Sequence, residues 1–448
     1  MSPQPLAITI MVITLMLGLL GILYFHRRGG DGMWLRQILV ADFVVSYPIS
    51  GLVHVWPLST DRGYYDAIAG GVPGATTGLV RAAVACLLAE LTLMIALAAF
   101  ARPPATRGRP VWAWAQRDRV LASLMGAALA SAAGFALLRV MRHASALNAE
   151  RVVEVPPGEA RYVFLASWFP WAVTLLALVI TSRRTTPAST VWNALVLTGA
   201  MGGVFFSFAW SGGRAETMVY GIPIIALLLP RLKVLRAPYA IGGAILGALF
   251  IMSKTLARTK DFEVWGLLDW QWGRFSMVAW ADDYARTFGY VGGETLANGY
   301  LNVPWAIAHF VGLAPPMEGV RSIVQLSGSA FVGDTEKTHI VPGMVSELYI
   351  NFGLPGVIVG HVILGVVASL VADWFRDAAG EMEKVLAAYL GSVILFETVV
   401  AQSGAFLPYA IQSGLPLWGF WLIERARRRA ATRDHDTSSI SDRTLLRS

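Results

Sequence analysis

Apolar runs of roughly 20 residues, each enough to carry a helix across about 30 Å of hydrocarbon, recur along nearly the whole chain between polar or charged connections. About eleven such runs can be read, near 6–25, 35–56, 76–100, 120–141, 162–181, 191–208, 217–229, 238–255, 345–374, 385–402 and 405–423. The run at 217–229 is short for a crossing, and that at 345–374 is over-long. This pattern predicts an all-α polytopic membrane protein. The connections are mostly short, but one long polar stretch, 256–342, separates the eighth run from the ninth, and a connection of that length usually has its own structure.

Composition agrees with the pattern. The chain is 55% hydrophobic and only 15% charged, with a mean hydropathy of +0.56, which excludes an ordinary soluble globular protein. The single cysteine, Cys86, falls inside the third run, so neither an intrachain disulfide nor a cysteine metal cluster is expected. The first run has no basic residues before it and is followed by Arg27 and Arg28, so it is read as a retained helix and not a removable leader. No repeat is visible. Residues 1–424 are read as one membrane domain and the Arg-rich, Ser/Asp-rich stretch 425–448 as disordered tail.

The formal charge of +7 is mostly a topology signal. Lys and Arg collect at Arg27/Arg28/Arg36, at 102–119, at Arg183/Arg184, at 231–236 and in the tail; placing these clusters in the cytoplasm puts the C-terminus inside, the N-terminus outside and the 256–342 loop outside. Nucleic acid is not implied as a partner. Within the loop, the stretch 261–286 interleaves Trp265, Trp270, Trp272 and Trp280 with Asp269, Arg274, Asp282, Asp283 and Arg286, the makeup of helices lying at a membrane interface.

Several residues carry candidate chemistry. Arg214, after Ser211-Gly-Gly, stands at the start of the seventh run, where free backbone N–H groups and a guanidinium suit a phosphate; pairing with Glu216 is the ordinary alternative. Arg258, Arg274, Arg286 and Arg321 lie on the same side. Where the long loop enters the ninth run, His339 and Glu347 are each suited to taking a proton from a hydroxyl, or to plain hydrogen bonding at an interface. Tyr349 and Asn351 follow and can contact a sugar or serve packing. Asp42, Glu90 and Glu397 fall within runs, where a carboxylate is costly and raises the question of a proton pathway. No nucleotide-binding glycine loop, zinc-protease His pair or serine-nucleophile elbow is present, and no metal site or cofactor is expected.

Three blocks together resemble a known family: Ser211-Gly-Gly-Arg214; Gly292-Gly-Glu-Thr295 through Asn302-Val-Pro304 to Pro315-Pro316; and His339 through Gly343, Glu347-Leu-Tyr349-Ile-Asn351-Phe-Gly353 and Gly356. They are similar to the Wzy-type bacterial O-antigen polymerases of oligosaccharide repeat units, and more distantly to the O-antigen ligases, over roughly the C-terminal half. One departure is Val303-Pro304-Trp305, where the family usually has a Pro-Arg pair.

The resemblance implies a GT-C-like helical fold in the bacterial inner membrane and a metal-independent transfer at its periplasmic face. The donor would be a glycan on undecaprenyl pyrophosphate, and the acceptor a sugar hydroxyl of another lipid-linked unit. It implies Glu347, then His339, as the base, Arg214 with Arg274 or Arg321 as holders of the pyrophosphate, and Tyr349 and Asn351 as substrate contacts. Membrane lipids, and the flippase and chain-length regulator of the same pathway, are the implied partners. A ligase is the near rival. A transporter or flippase working through the intramembrane carboxylates is the rival from another class, though no repeated halves are visible.

Overall fold

A computed structural model describes residues 3–28, 33–55, 75–102, 116–142, 160–181, 187–209, 214–228, 242, 274–310, 312–315, 321–332, 342–395 and 406–445. The described chain is all-helical. In order the helices are α1 (Pro3–Arg28), α2 (Met33–Val44), α3 (Ser50–Val55), α4 (Ala75–Ala99), α5 (Gln116–Met141), α6 (Ala160–Ala166), α7 (Phe169–Thr181), α8 (Pro187–Ala209), α9 (Arg214–Leu228), α10 (Phe275–Phe288), α11 (Glu294–Phe310), α12 (Ile323–Val332), α13 (Met344–Asp377), α14 (Glu381–Val393) and α15 (Leu415–Leu445). A π-turn at Val45–Ile49 joins α2 to α3, and another at Pro408–Ser413 precedes α15.

Six segments are long and apolar enough to cross a membrane: Gln4–Arg28, Met33–Val55, Gly78–Ala99, Arg119–Met141, Tyr162–Thr181 and Met344–Asp377. Their outward faces are apolar: Met16, Leu20 and Leu23 on α1, Leu124 and Phe135 on α5, and Val359 and Ile363 on α13 are all exposed. In water such a surface would be a liability; against hydrocarbon it is the proper outside of a polytopic membrane protein. The expected run 238–255 lies outside the described residues apart from Gly242, as do most of 256–273 and the end of 385–402.

Two cores organise the bundle. In the first, α4 packs along α13 and also contacts α1, with α10 laid across both α4 and α13. Gly365 is what lets α13 approach α4: a Cβ there would stand 2.6 Å from Ala96 Cβ and 3.1 Å from the Leu93 carbonyl. Small residues at such a contact replace the missing hydrophobic drive between helices in lipid with close backbone packing. In the second core α7, α8 and α9 pack in sequence, and α9 lies on α14 around the Trp171, Tyr220 and Tyr389 rings. Helices α13 and α14 join the two.

Polar groups gather at both ends of the first core. At one end Asp373 accepts from Arg36 Nη2 at 3.0 Å and faces Arg376 Nη1 at 3.2 Å and Arg102 Nε at 3.7 Å, with Arg36 only 1% exposed. Nearby, the Glu424 carboxylate accepts the N–H groups of Glu381 and Glu383 at 3.1 and 3.3 Å, satisfying donors that the start of α14 leaves open and complementing its dipole. Helix α15 runs on to Leu445, through the stretch whose composition reads as disordered tail. Arg and Ala are strong helix formers, and the run Glu424 to Ala431 is rich in them.

Candidate functional site

The opposite end of the first core is built around a break in α13. Gly353 has φ 65°, ψ −154°, a conformation open essentially to glycine alone, and Pro355 two residues later has no N–H to offer Asn351. The carbonyls of Ile350 and Asn351 therefore lack their intrahelical donors. The turn after α10 supplies them: Val291 N–H donates to Ile350 O at 3.0 Å and Gly292 N–H to Asn351 O at 3.3 Å. That turn bends through Gly289, Gly292 and Gly293, all at positive φ. An over-long apolar run is thereby a helix with a first segment, 344–352, stitched to the loop layer.

Asn351 fastens the same junction with its side chain. Its Oδ1 accepts from Gly293 N–H at 2.8 Å, and its Nδ2 donates to Thr295 Oγ1 at 2.7 Å and to Glu347 O at 2.6 Å. Tyr349 donates its hydroxyl to Asp282 Oδ1 at 2.7 Å. The two residues expected to contact substrate thus hold α13 to α10 and α11.

Asp282 is the centre of a cluster that sequence reasoning treats only as interfacial charge. The amphipathic helix α10 buries Phe275, Val278 and Asp282 on one face, at spacings of three and four residues. Asp282 is 2% exposed and takes, besides Tyr349, the Nε of Arg81 at 2.9 Å to both carboxylate oxygens and the Nε of Arg286 at 3.2 Å. Arg286 also bonds Asp283 at 2.8 Å. The signal in sequence is faint: Arg81 is a single charge near the start of an apolar run, 201 residues from its partner.

Arg274 and Glu347 occupy the same end. Pro48 within the π-turn has no N–H, and the irregular backbone leaves Ser46 O to accept from Arg274 N–H at 2.8 Å and from Ser50 Oγ at 3.0 Å, which sets the start of α10 against α2 and α3. Gly343, at φ 79°, fits under that contact: a Cβ on it would lie 2.7 Å from Tyr47 Oη and 3.1 Å from Arg274 Cγ. Tyr47 Oη also accepts from Val345 N–H at 3.3 Å. One turn further on, Glu347 is 1% exposed, its N–H on Gly343 O at 3.1 Å. Its negative charge is felt by Tyr300 of α11: desolvation first, then Glu347, pushes that phenol up to about 12, even though 37% of the residue stays exposed.

Arg321 is engaged elsewhere in the layer. Its Nε and Nη2 meet Glu294 Oε1 and Oε2 at 3.0 and 3.3 Å, and its own N–H donates to Oε1 at 2.9 Å. This clamp holds the Glu294 carboxyl below its usual range and raises the Arg321 guanidinium. Arg214 opens α9, in the second core; its side chain, and His339 entirely, lie outside the described residues. The structure therefore brings Arg274, Glu347, Tyr349 and Asn351 to one end of α13, with Arg81 and Asp282 added.

The fold and these residues define an all-helical membrane protein with a polar, arginine-bearing layer at one end. Compared with protein-family models, with curated proteins and with solved structures, the chain matches none.

Proposed function

We propose that this protein polymerises oligosaccharide repeat units carried on undecaprenyl pyrophosphate, at the periplasmic face of a bacterial inner membrane, on a GT-C-like scaffold of about eleven spans. The observation that carries this reading is the buried carboxyl of Glu347, one turn past Gly343, against which Arg274 packs, at the mouth of a membrane helix. In the transfer, an acceptor sugar hydroxyl oxygen attacks the anomeric carbon of the lipid-linked unit. Glu347 takes the hydroxyl proton, the bond from that carbon to the pyrophosphate oxygen breaks, and lipid pyrophosphate leaves with the electron pair. The barrier is the charge gathering on the leaving group, so fixed cations such as Arg274 and Arg214 supply stabilisation that water would have to reorganise to give. The flippase and chain-length regulator of the pathway are its expected partners.

Glu347→Gln and Arg214→Ala in the native host, followed by glycan length on a gel, test this. Loss of polymer with single units still attached supports a polymerase, loss of all attachment indicates a ligase, and unchanged glycans in both variants overturn both. A second reading, transport, is favoured by Glu90: it is fully buried within α4, and neither of its oxygens has a hydrogen-bond partner among the described residues. It predicts that Glu90→Gln blocks export of the lipid-linked unit and leaves its linkage chemistry intact.

A further inference from the structure

We infer that Arg81 is an anion-gripping side chain of this site, with its two terminal guanidinium nitrogens taking a phosphate of a lipid-linked pyrophosphate, and that Asp282 is its positioning residue. The inference rests on the reading of the site as one that handles a pyrophosphate-bearing lipid. It is carried by how Arg81 is held. Closed arginine pairs in this protein use two nitrogens: Arg321 gives Nε and Nη2 to Glu294, and Arg376 gives Nε and Nη2 to Asp377 at 2.8 and 3.0 Å. Arg81 gives Asp282 its Nε alone, 2.9 Å from both oxygens, and among the described residues nothing bonds its Nη1 or Nη2.

A guanidinium has five N–H groups in a fixed plane, so four remain on the outward fork, the geometry that matches phosphate oxygens two at a time. The exposures agree: the Arg81 side chain is 44% exposed and the Asp282 side chain 2%, a buried anchor under an open fork. Asp282 is in turn fixed from the other side by the Tyr349 hydroxyl, and Tyr349 lies two residues past Glu347 on the same helix. What Asp282 removes in net charge it returns as orientation, since donors aimed in advance need no rearrangement when a leaving group develops charge. Arg274, at the start of the helix that carries Asp282, supplies a cation to the same layer.

The test uses the full chain in nanodiscs and arginine-selective modification by phenylglyoxal, followed site by site with peptide mass spectrometry. Farnesyl pyrophosphate, inorganic pyrophosphate and farnesol are the probes. Farnesyl pyrophosphate is expected to slow modification of Arg81 by about tenfold or more at saturation, farnesol not at all, and inorganic pyrophosphate less at equal concentration, because charge-assisted contacts of this kind carry roughly that factor. Protection by inorganic pyrophosphate alone overturns the lipid-linked source. An unchanged rate with both overturns the site.

Asp282→Asn, checked for folding by thermal unfolding, is expected to raise the unliganded reactivity of Arg81 and abolish the protection; Arg81→Lys keeps the charge and loses the fork, weakening farnesyl pyrophosphate binding about tenfold. Protection surviving in Asp282→Asn, or full affinity in Arg81→Lys, counts against the assignment. The glycan assay separates this from the polymerase reading: Arg81 protected while Glu347→Gln leaves polymer intact sinks that reading and keeps the site. Arg81 unprotected while Glu347→Gln abolishes polymer does the reverse.

Discussion

Gly293 donates its backbone N–H to the side-chain oxygen of Asn351 at 2.8 Å, tying the turn after α10 to the break in α13. The loop layer and the membrane helix are therefore completed by each other's hydrogen bonds, and mutations on either side should be felt on both.

Asn351→Ala strands the Gly293 N–H and the Thr295 hydroxyl, and loses about 1–3 kcal/mol of stability on the usual cost of an unmade buried hydrogen bond. Asn351→Asp keeps an acceptor, forfeits both donors and buries a charge, so it should be the worse of the two. Thermal unfolding of the purified chain ranks them, and the reverse order would discredit the account of the junction.

Gly353→Ala meets two penalties. The backbone conformation costs an L-residue of order 1–3 kcal/mol, and the added Cβ would sit 2.8 Å from Tyr290 Oη. Combining it with Tyr290→Ala relieves only the second. Full recovery in the double variant would show that the backbone is not strained there.

At the other end, Asp373→Ala leaves Arg36 buried at 1% exposure without its carboxylate, which should cost about 3–5 kcal/mol. Arg36→Met should be milder, because Asp373 still faces Arg376 and Arg102. Comparing the two in denaturant unfolding checks the asymmetry.

Acid should loosen α11 from the segment before α12. The Arg321 hydrogen bond lowers the Glu294 pKa below 4.5, so the clamp's contribution is complete above that value and lost as pH falls below it. Both groups are partly exposed, so the effect on global stability is small. Trp305, whose indole donates to Pro315 O at 2.8 Å, lies in this layer, and its surroundings should change below pH 4.5 in the wild type and show no such step in Glu294→Gln.

Much of the helical architecture was legible because lipid imposes one strong rule, long apolar runs, and α1, α4 and α5 follow it. The run at 345–374 looked too long because its outer part is not ordinary span: Gly353 and Pro355 end the regular ladder, and the loop completes it. Glu347, Tyr349 and Asn351 were visible as polar residues entering an apolar helix. Arg81 with Asp282, and Arg36 with Asp373, were not, since pairs 201 and 337 residues apart leave no local pattern. The helical extension of α15 was obscured by weighing Arg-rich composition as tail, although the same residues favour helix.

The position of the break in α13 follows from thickness. Gly353 lies 20 residues before Asp373, and at 1.5 Å per residue that is about 30 Å, the depth of a bilayer's hydrocarbon. Two carbonyls that need borrowed donors thus fall at headgroup level, with the Asp373 cluster at the opposite headgroups, where neither is penalised. Moving Gly353 one turn deeper would carry that irregular backbone into oil, so the helix between these residues works as a gauge of the membrane the protein fits.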